Sequence, residues 1–198
     1  MADDDHEGKV TPQGLTAAQV AALIAPSYSL WFRRQPADLA SVVWVAGVDT
    51  ACDDAFLGSH GILGIVNCAG PECRGSSPLW QMRRYLELQA RDEIGYDIMQ
   101  HVPAVTEFCR AVMVHVAAMD GSPATKPRIL IHCHAGMNRS PAIAVAVVHT
   151  LTGTPVADLL CALAARRPVL TNTSFQSQVA EFSRQLWFTA HMAGTPMV

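Results

Sequence analysis

The residues best suited to act together chemically stand in one short stretch, in which His132 and Cys133 are followed, after five residues, by Arg139 and Ser140. A cysteine near a helix N-terminus and a guanidinium is expected to ionise to the nucleophilic thiolate at neutral pH. The Arg139 guanidinium is a planar fork that can hold two oxygens of a phosphoryl group. The Ser140 hydroxyl can donate a hydrogen bond to the sulfur. The stretch therefore predicts attack by sulfur on phosphorus.

The elements around this stretch predict an anion site. Residues 129–131 are apolar, as in a short buried strand, and residues 141–150 are rich in alanine and valine, as in a buried helix. The turn between them lies at a strand's carboxyl end and a helix's amino end, where unpaired N–H groups and the helix dipole favour negative charge. Gly136 permits the left-handed conformation that turns N–H groups inward. We expect the N–H groups of residues 134–139 to hold the oxygens of the anion.

Two other interpretations of this stretch are weaker. A buried, inert cysteine beside an ordinary glycine turn leaves the rest of the stretch unexplained, since five residue types match at fixed positions by chance with a frequency of ~10⁻⁴ or less. Zinc could be bound by His132, Cys133 and His134. Neighbouring side chains on a strand point to opposite faces, however, and no second Cys or His pair has a finger-like spacing. We therefore expect no metal.

The arrangement His132-Cys133-(x)5-Arg139-Ser140 resembles the signature of cysteine-based protein phosphatases, and within them the dual-specificity class. The resemblance implies an α/β fold with a central mixed, mostly parallel sheet of about five strands flanked by helices. It also implies phosphorylated protein substrates, a phosphocysteine intermediate and no cofactor. His132 would support the loop from behind. The resemblance also implies that phosphate is bound by His134, Ala135, Gly136, Met137, Asn138 and Arg139.

A carboxylic acid is also needed, because an alkoxide or phenoxide leaves phosphorus poorly unless it is protonated. Residues 85–92 alternate like an edge strand that runs into a turn. From the residues alone, Asp92, Glu93 and Asp97 are all candidates. In the family a strand of this form leads to the general acid, and the dipeptide Asp97-Ile98 matches the start of the family's next helix. The resemblance therefore selects Asp92.

Hydrophobic patterns place the other elements. Apolar runs predict strands at residues 41–47 and 61–67. Helical spacing predicts helices at residues 16–25, 49–57, 97–118, 156–166 and 173–189. The interval from Asp92 to Cys133 is longer than is usual in the family, and we expect the surplus in a helix extension and in the loop 120–127, away from the site.

Three further residues lie at the ends of predicted elements. Asn172 and Phe175 are expected to be a helix cap and a core anchor. Cys68 ends a predicted strand, where α/β sites gather, so it is either a small buried thiol or a partner for Cys133 on oxidation.

The length of 198 residues and the apolar half of the composition suit one domain with a sizeable core. We expect an acidic, disordered tail at residues 1–12, an N-terminal helix and connector at 13–38, the catalytic domain at 39–190 and a tail at 191–198. No apolar run resembles a secretory signal or a membrane span. The six scattered cysteines predict reduced thiols in a cytoplasmic or nuclear protein.

The function predicted is a phosphoprotein phosphatase acting on phosphotyrosine and on phosphoserine or phosphothreonine. The variable positions His134, Ala135, Met137 and Asn138 include no lysine, which argues against a phosphoinositide substrate. Asn138 before the arginine also resembles the RNA 5′-triphosphatase relatives, but a net charge of −3 without a basic stripe argues against nucleic acid. An alternative of another class is a weakly active phosphopeptide-binding scaffold. No pattern indicates the oligomeric state.

Overall fold

The structure is a computed structural model, and it describes residues 14–31, 34–76, 83–120 and 128–192. One sheet lies at its centre. Its strands are β1 (Ala37–Leu39), β2 (Val43–Ala46), β3 (Gly64–Asn67), β4 (Arg84–Glu87) and β5 (Ile129–His132). Their order is β1-β2-β5-β3-β4; β1 runs antiparallel to β2, and the other neighbours are parallel. The prediction of a mixed, mostly parallel sheet is confirmed.

Helices cover both faces of this sheet, as the buried character of its central strands requires. They are α1 (Ala17–Ile24), α2 (Val48–Ala51), α3 (Asp54–Ser59), α4 (Val102–Asp120), α5 (Arg139–Thr152), α6 (Val156–Ala164) and α7 (Thr173–Met192). Ile129 and Ile131 of β5 point into the larger core, and Leu130 between them points into a smaller core with Leu57 of α3. Among the described residues no helix is long and apolar enough to cross a bilayer.

The helix that follows β5 is enclosed by protein over most of its length. Every residue of α5 from Ser140 to Val148 is buried. The small alanine and valine side chains allow this helix to pack closely against neighbours on several sides. The first turn of α5 is thereby held rigidly at the carboxyl end of β5.

The structure departs from the predicted elements at two places near the first strands. β2 begins only at Val43, because Ala40 and Ser41 have positive φ and form a tight turn that brings the short strand β1 back along β2. The helix predicted at residues 49–57 is two short helices, since the Asp53 carboxylate caps α3 by accepting from the N–H groups of Ala55 and Phe56. β1 itself was not predicted, because three residues carry too little pattern.

The N-terminal helix is part of the same core as the sheet. Thr16 and Gln19 form a capping box at the start of α1, and Val20 and Ile24 are fully buried in the larger core. At the other end α7 runs to Met192, so the start of the expected tail is helical. The expected tail at residues 1–12, residues 121–127 of the expected loop and the end of the C-terminal tail lie outside the described residues.

Candidate active site

The loop between β5 and α5, residues 133–138, is called the signature loop here. Its turn depends on Gly136, which has a φ of +66°. A Cβ at this position would meet Nη2 of Arg167 and would lie 2.5 Å from the carbonyl carbon and oxygen of Ala46. Only glycine allows the loop to pass this close to β2 in a left-handed conformation.

The carbonyl groups of the signature loop are bonded on its outer side. The His134 carbonyl accepts from the N–H of Val48 (2.9 Å), and the Met137 carbonyl accepts from the N–H of Leu170 (2.7 Å). The Ala135 carbonyl accepts from Nη2 of Arg167 (2.9 Å). Within the described residues no backbone carbonyl accepts from the N–H groups of residues 134–139. These donors are therefore available to a bound anion.

The loop surrounds a pocket of about 430 Å³, including its open mouth. The residues lining it are Asp92, Cys133, His134, Ala135, Met137, Asn138 and Arg139. Cys133 is almost completely buried at its base, with 2% exposure. The hydroxyl of the fully buried Ser140 donates to the Cys133 sulfur at 3.3 Å.

The Arg139 guanidinium joins the signature loop to the segment that carries the expected acid. Its Nη1 donates to the carbonyl of Ala90 at 3.2 Å. Its Nε is buried and has no hydrogen-bond partner among the described residues. A buried donor of this kind is costly unless it is satisfied, so it can serve a ligand oxygen in the pocket.

Asp92 is held at the pocket by two side-chain amides. Asn138 donates to its Oδ2 and Asn172 donates to its Oδ1, each at 3.1 Å. The other two acidic candidates have different contacts. Glu93 forms an ion pair with Arg91 at 3.1 Å, and the Asp97 carboxylate accepts from the N–H groups of Met99 and Gln100. The structure therefore brings Asp92 to Cys133 and Arg139, and places Glu93 and Asp97 outside the pocket lining.

His132 is fully buried at the end of β5, behind the loop. The pKa of its imidazole is lowered to about 4, chiefly by burial; a hydrogen bond with the Cys133 backbone opposes this shift, and the charge of Arg139 adds to it. The ring is therefore neutral at pH 7. No three His, Cys, Asp or Glu side chains in the described parts of the chain are grouped as metal ligands.

Cys68 lies beside Cys133. Asn67 of β3 pairs with His132 of β5, and the next residue on each strand is a buried cysteine. Burial raises the pKa of the Cys68 thiol well above its usual value, and the nearby Cys133 raises it further. Cys68 is therefore a neutral thiol at pH 7.

Two residues that shape the site were missed by the sequence analysis. Arg167 is fully buried, and besides Ala135 its guanidinium donates to the carbonyls of Gln35 (3.2 Å) and Val45 (3.0 Å). Burial lowers its pKa to about 10, so it stays charged. Leu170, whose N–H binds the signature loop, has a φ of +53°. The residues that neighbour Arg167 and Leu170 in the sequence give no indication of these roles.

Asn172 has a second role that the sequence analysis did not anticipate. As expected of a cap, its Oδ1 accepts from the N–H groups of Ser174 and Phe175 at the start of α7. Its Nδ2 is then free to reach Asp92. Phe175 is fully buried, in agreement with a core anchor.

Comparisons with known proteins agree with this arrangement. The sequence model of one family, "Dual specificity phosphatase, catalytic domain", matches residues 43–185. Dual specificity protein phosphatase 15 of Mus musculus is 32% identical over 106 residues, which are 53% of this chain and 41% of the relative. Dual specificity protein phosphatase 22-B of Danio rerio is 31% identical over 108 residues, which are 54% of each protein. The chain thus matches only about half, or less than half, of the length of each of these relatives.

Solved structures give the same result for the fold. The crystal structure of DUSP15 superposes with a TM-score of 0.60 and 25% identity, covering 82% of this chain and 98% of that one. A mouse putative dual specificity phosphatase complexed with zinc tungstate superposes with a TM-score of 0.60 and 20% identity, covering 79% and 91%. The chain belongs to the dual-specificity phosphatase family.

Proposed function

We propose that this protein hydrolyses phosphate monoesters on phosphorylated proteins, at tyrosine and at serine or threonine, through a phosphocysteine intermediate. One observation carries the proposal. The Cys133 sulfur lies at the base of a loop whose carbonyls are bonded outward, and Arg139 and Asp92 line the same pocket. Nucleophile, anion donors and acid thus converge where a phosphoryl group can bind.

In the first step the Cys133 thiolate attacks phosphorus in line with the ester oxygen. The S–P bond forms as the P–O bond breaks, and Asp92 gives its proton to the leaving oxygen. The N–H groups of residues 134–139 and the Arg139 guanidinium hold the equatorial oxygens, where negative charge is concentrated. The two amides that hold Asp92 keep its carboxyl group at the pocket.

In the second step the Asp92 carboxylate takes a proton from water, and the hydroxyl oxygen attacks phosphorus as the S–P bond breaks. The sulfur leaves as a thiolate, and the product is inorganic phosphate. The Ser140 hydroxyl, 3.3 Å from that sulfur, stabilises the departing negative charge. His132 is neutral and transfers no proton.

The side chains around the pocket favour protein substrates over lipid or RNA. No lysine occurs at residues 134–138, so the loop has no additional cation for a multiply phosphorylated inositol ring. Asn138 is occupied within the protein, since it binds Asp92 and accepts from Thr171 and from the N–H of Asn172. This asparagine therefore has a role in the fold that needs no nucleic-acid substrate.

The test is turnover by the purified chain of 4-nitrophenyl phosphate and of matched phosphotyrosyl, phosphothreonyl, phosphoinositide and 5′-triphosphorylated RNA substrates. We expect turnover of the aryl phosphate and of both phosphopeptides. Cys133→Ser should abolish turnover while vanadate still binds, and Cys161→Ser, at an exposed thiol on α6, should leave the rate unchanged. Vanadate binding by the wild-type chain without turnover would support the scaffold instead, and a preference for lipid or RNA would refute the protein substrate.

A further inference from the structure

The segment after Asp92 has little apolar side-chain packing of its own. Residues 91–95 are exposed, and Ile94, the only large apolar side chain among them, is 73% exposed. The first side chain of this segment to be fully buried is Ile98. Residues 92–98 are called the acid segment here. Apolar packing holds this segment only towards its end, at Tyr96 and Ile98, so polar contacts must position the part nearer Asp92.

These contacts come from one face of α7. Ser174 and Gln178 stand four residues apart, so their side chains are neighbours on the helix surface. The Ser174 hydroxyl accepts from the N–H of Gly95 at 3.1 Å. Gln178 Oε1 accepts from the N–H of Ile98 at 2.9 Å, and its Nε2 donates to the carbonyl of Tyr96 at 2.8 Å.

The side-chain amide of Gln178 binds the acid segment through both its oxygen and its nitrogen, and it also forms a hydrogen bond with Ser174. The second hydrogen of its Nε2 is donated to the Ser174 hydroxyl oxygen at 3.2 Å. The two residues therefore fix the backbone at Gly95, Tyr96 and Ile98 together. The Asp92 carboxylate is fixed separately, by side-chain amides at its two oxygens.

We propose that Gln178 is a positioning residue for the general acid, and that with Ser174 it anchors the acid segment to α7 so that the Asp92 carboxyl group stays over the Cys133 pocket. The inference rests on the proposed function, in which Asp92 protonates the leaving oxygen. A misplaced acid loses much of its contribution to rate, because proton transfer requires hydrogen-bond distance to the leaving oxygen. Gln178 itself lies outside the pocket lining and acts through Asp92.

The experiment compares leaving groups, since only a poor leaving group needs the acid. Rates are measured with two substrates. The phenolate of 2,4-dinitrophenyl phosphate leaves without protonation, whereas the phenolate of phenyl phosphate must be protonated as it leaves. The variants are Gln178→Ala and Ser174→Ala. The matched controls are Gln185→Ala and Ser177→Ala on the same helix, whose side chains bond to Glu181 and to the Thr173 carbonyl instead.

We expect Gln178→Ala to lower kcat on phenyl phosphate by about tenfold or more and to change kcat on 2,4-dinitrophenyl phosphate by less than about twofold. Ser174→Ala should show the same selectivity with a smaller loss, and the controls should behave like wild type on both substrates. In an Asp92→Ala background, Gln178→Ala should cause no further loss on phenyl phosphate, because two residues that act through one group are not additive.

The outcomes separate the inference from the function on which it rests. If Asp92→Ala is selective for phenyl phosphate and Gln178→Ala is not, the positioning role is refuted while the acid assignment stands. If Asp92→Ala itself shows no selectivity, the acid assignment fails. Equal losses on both substrates, or an additive loss in the double variant, would show a general structural role for Gln178. The melting temperature of Ser174→Ala, which removes only one of the three hydrogen bonds between α7 and the acid segment, controls for unfolding.

Discussion

Replacing Gly136 by alanine tests the close packing of the signature loop against β2. At a φ of +66° an alanine costs about 1–2 kcal/mol relative to glycine. Its Cβ would also lie 2.5 Å from backbone atoms of Ala46, and forcing an extra methyl group into a packed site costs about 1–3 kcal/mol. We expect the free energy of unfolding to fall by about 2–5 kcal/mol, which lowers Tm by about 4–20 °C in a domain of this size.

The matched control is Gly153→Ala at the end of α5. Gly153 has a similar φ of +74°, but a Cβ there would meet nothing within 4 Å. Only the conformational cost of about 1–2 kcal/mol is expected at this position. The difference between the two variants therefore measures the steric contacts that a Cβ at position 136 makes with β2 and with the Arg167 guanidinium.

Scanning calorimetry gives the stability, and titration with vanadate gives the affinity of the loop. A displaced loop loses hydrogen bonds to the anion, each worth about 1.5–3 kcal/mol when one partner is charged, so Gly136→Ala should weaken vanadate binding by at least about tenfold. Gly153→Ala should bind vanadate like wild type. If Gly136→Ala lost no more stability than Gly153→Ala and bound vanadate normally, the loop would not be packed against β2 as described.

Three further predictions concern the groups around the sulfur. Ser140→Ala removes the donor to the Cys133 sulfur and should slow breakdown of the phosphocysteine by about tenfold, seen in stopped flow as a burst of 4-nitrophenolate before a slow steady state; a steady state without a burst would contradict this. Cys68 and Cys133 each follow a residue of the pair Asn67–His132, and adjacent strands lie about 4.8 Å apart, which is within disulfide range. Peroxide should therefore give a Cys68–Cys133 disulfide in non-reducing peptide maps. An oxidised Cys133 without this partner would refute the prediction. The pKa of His132 is lowered from 6.5 to about 4, so between these pH values the unfolded chain binds more protons than the folded chain, and stability falls as pH falls. From pH 7.5 to 5 we expect the free energy of unfolding, measured with a denaturant, to fall by about 2 kcal/mol. This loss should be absent in His132→Gln.

Much of the candidate site could be predicted because its residues are close in sequence. His132 to Ser140 carry the nucleophile, the glycine, the arginine and the serine in one strand-turn-helix unit, whose local pattern is readable. The choice of Asp92 as the general acid depended on the family resemblance. Glu93 and Asp97 have the same chemistry and nearly the same position, and only their partners in the fold distinguish them.

The remainder of the site consists of contacts over long sequence separations. Arg167 reaches back to Val45 and Gln35, and Gln178 reaches back to Tyr96. Such partners are chosen by which elements meet, and no periodicity or spacing encodes that choice. The strand β1 was missed for another reason, since its three residues are too few to carry a pattern and only its pairing with β2 reveals it.

The amino-acid sequence alone predicted the class of fold and indicated the chemistry. A cysteine, a glycine, an arginine and a serine at set positions between a buried strand and a buried helix admit few arrangements, because that junction presents free N–H groups to an anion. The tertiary structure decided which carboxylate lines the pocket of Cys133 and what keeps it there. Asp92 is selected by amides from Asn138 and Asn172, which come together only when α7 packs beside the signature loop. Hydrogen bonds between distant segments depend on the folded geometry, and a sequence pattern records only neighbours along the chain.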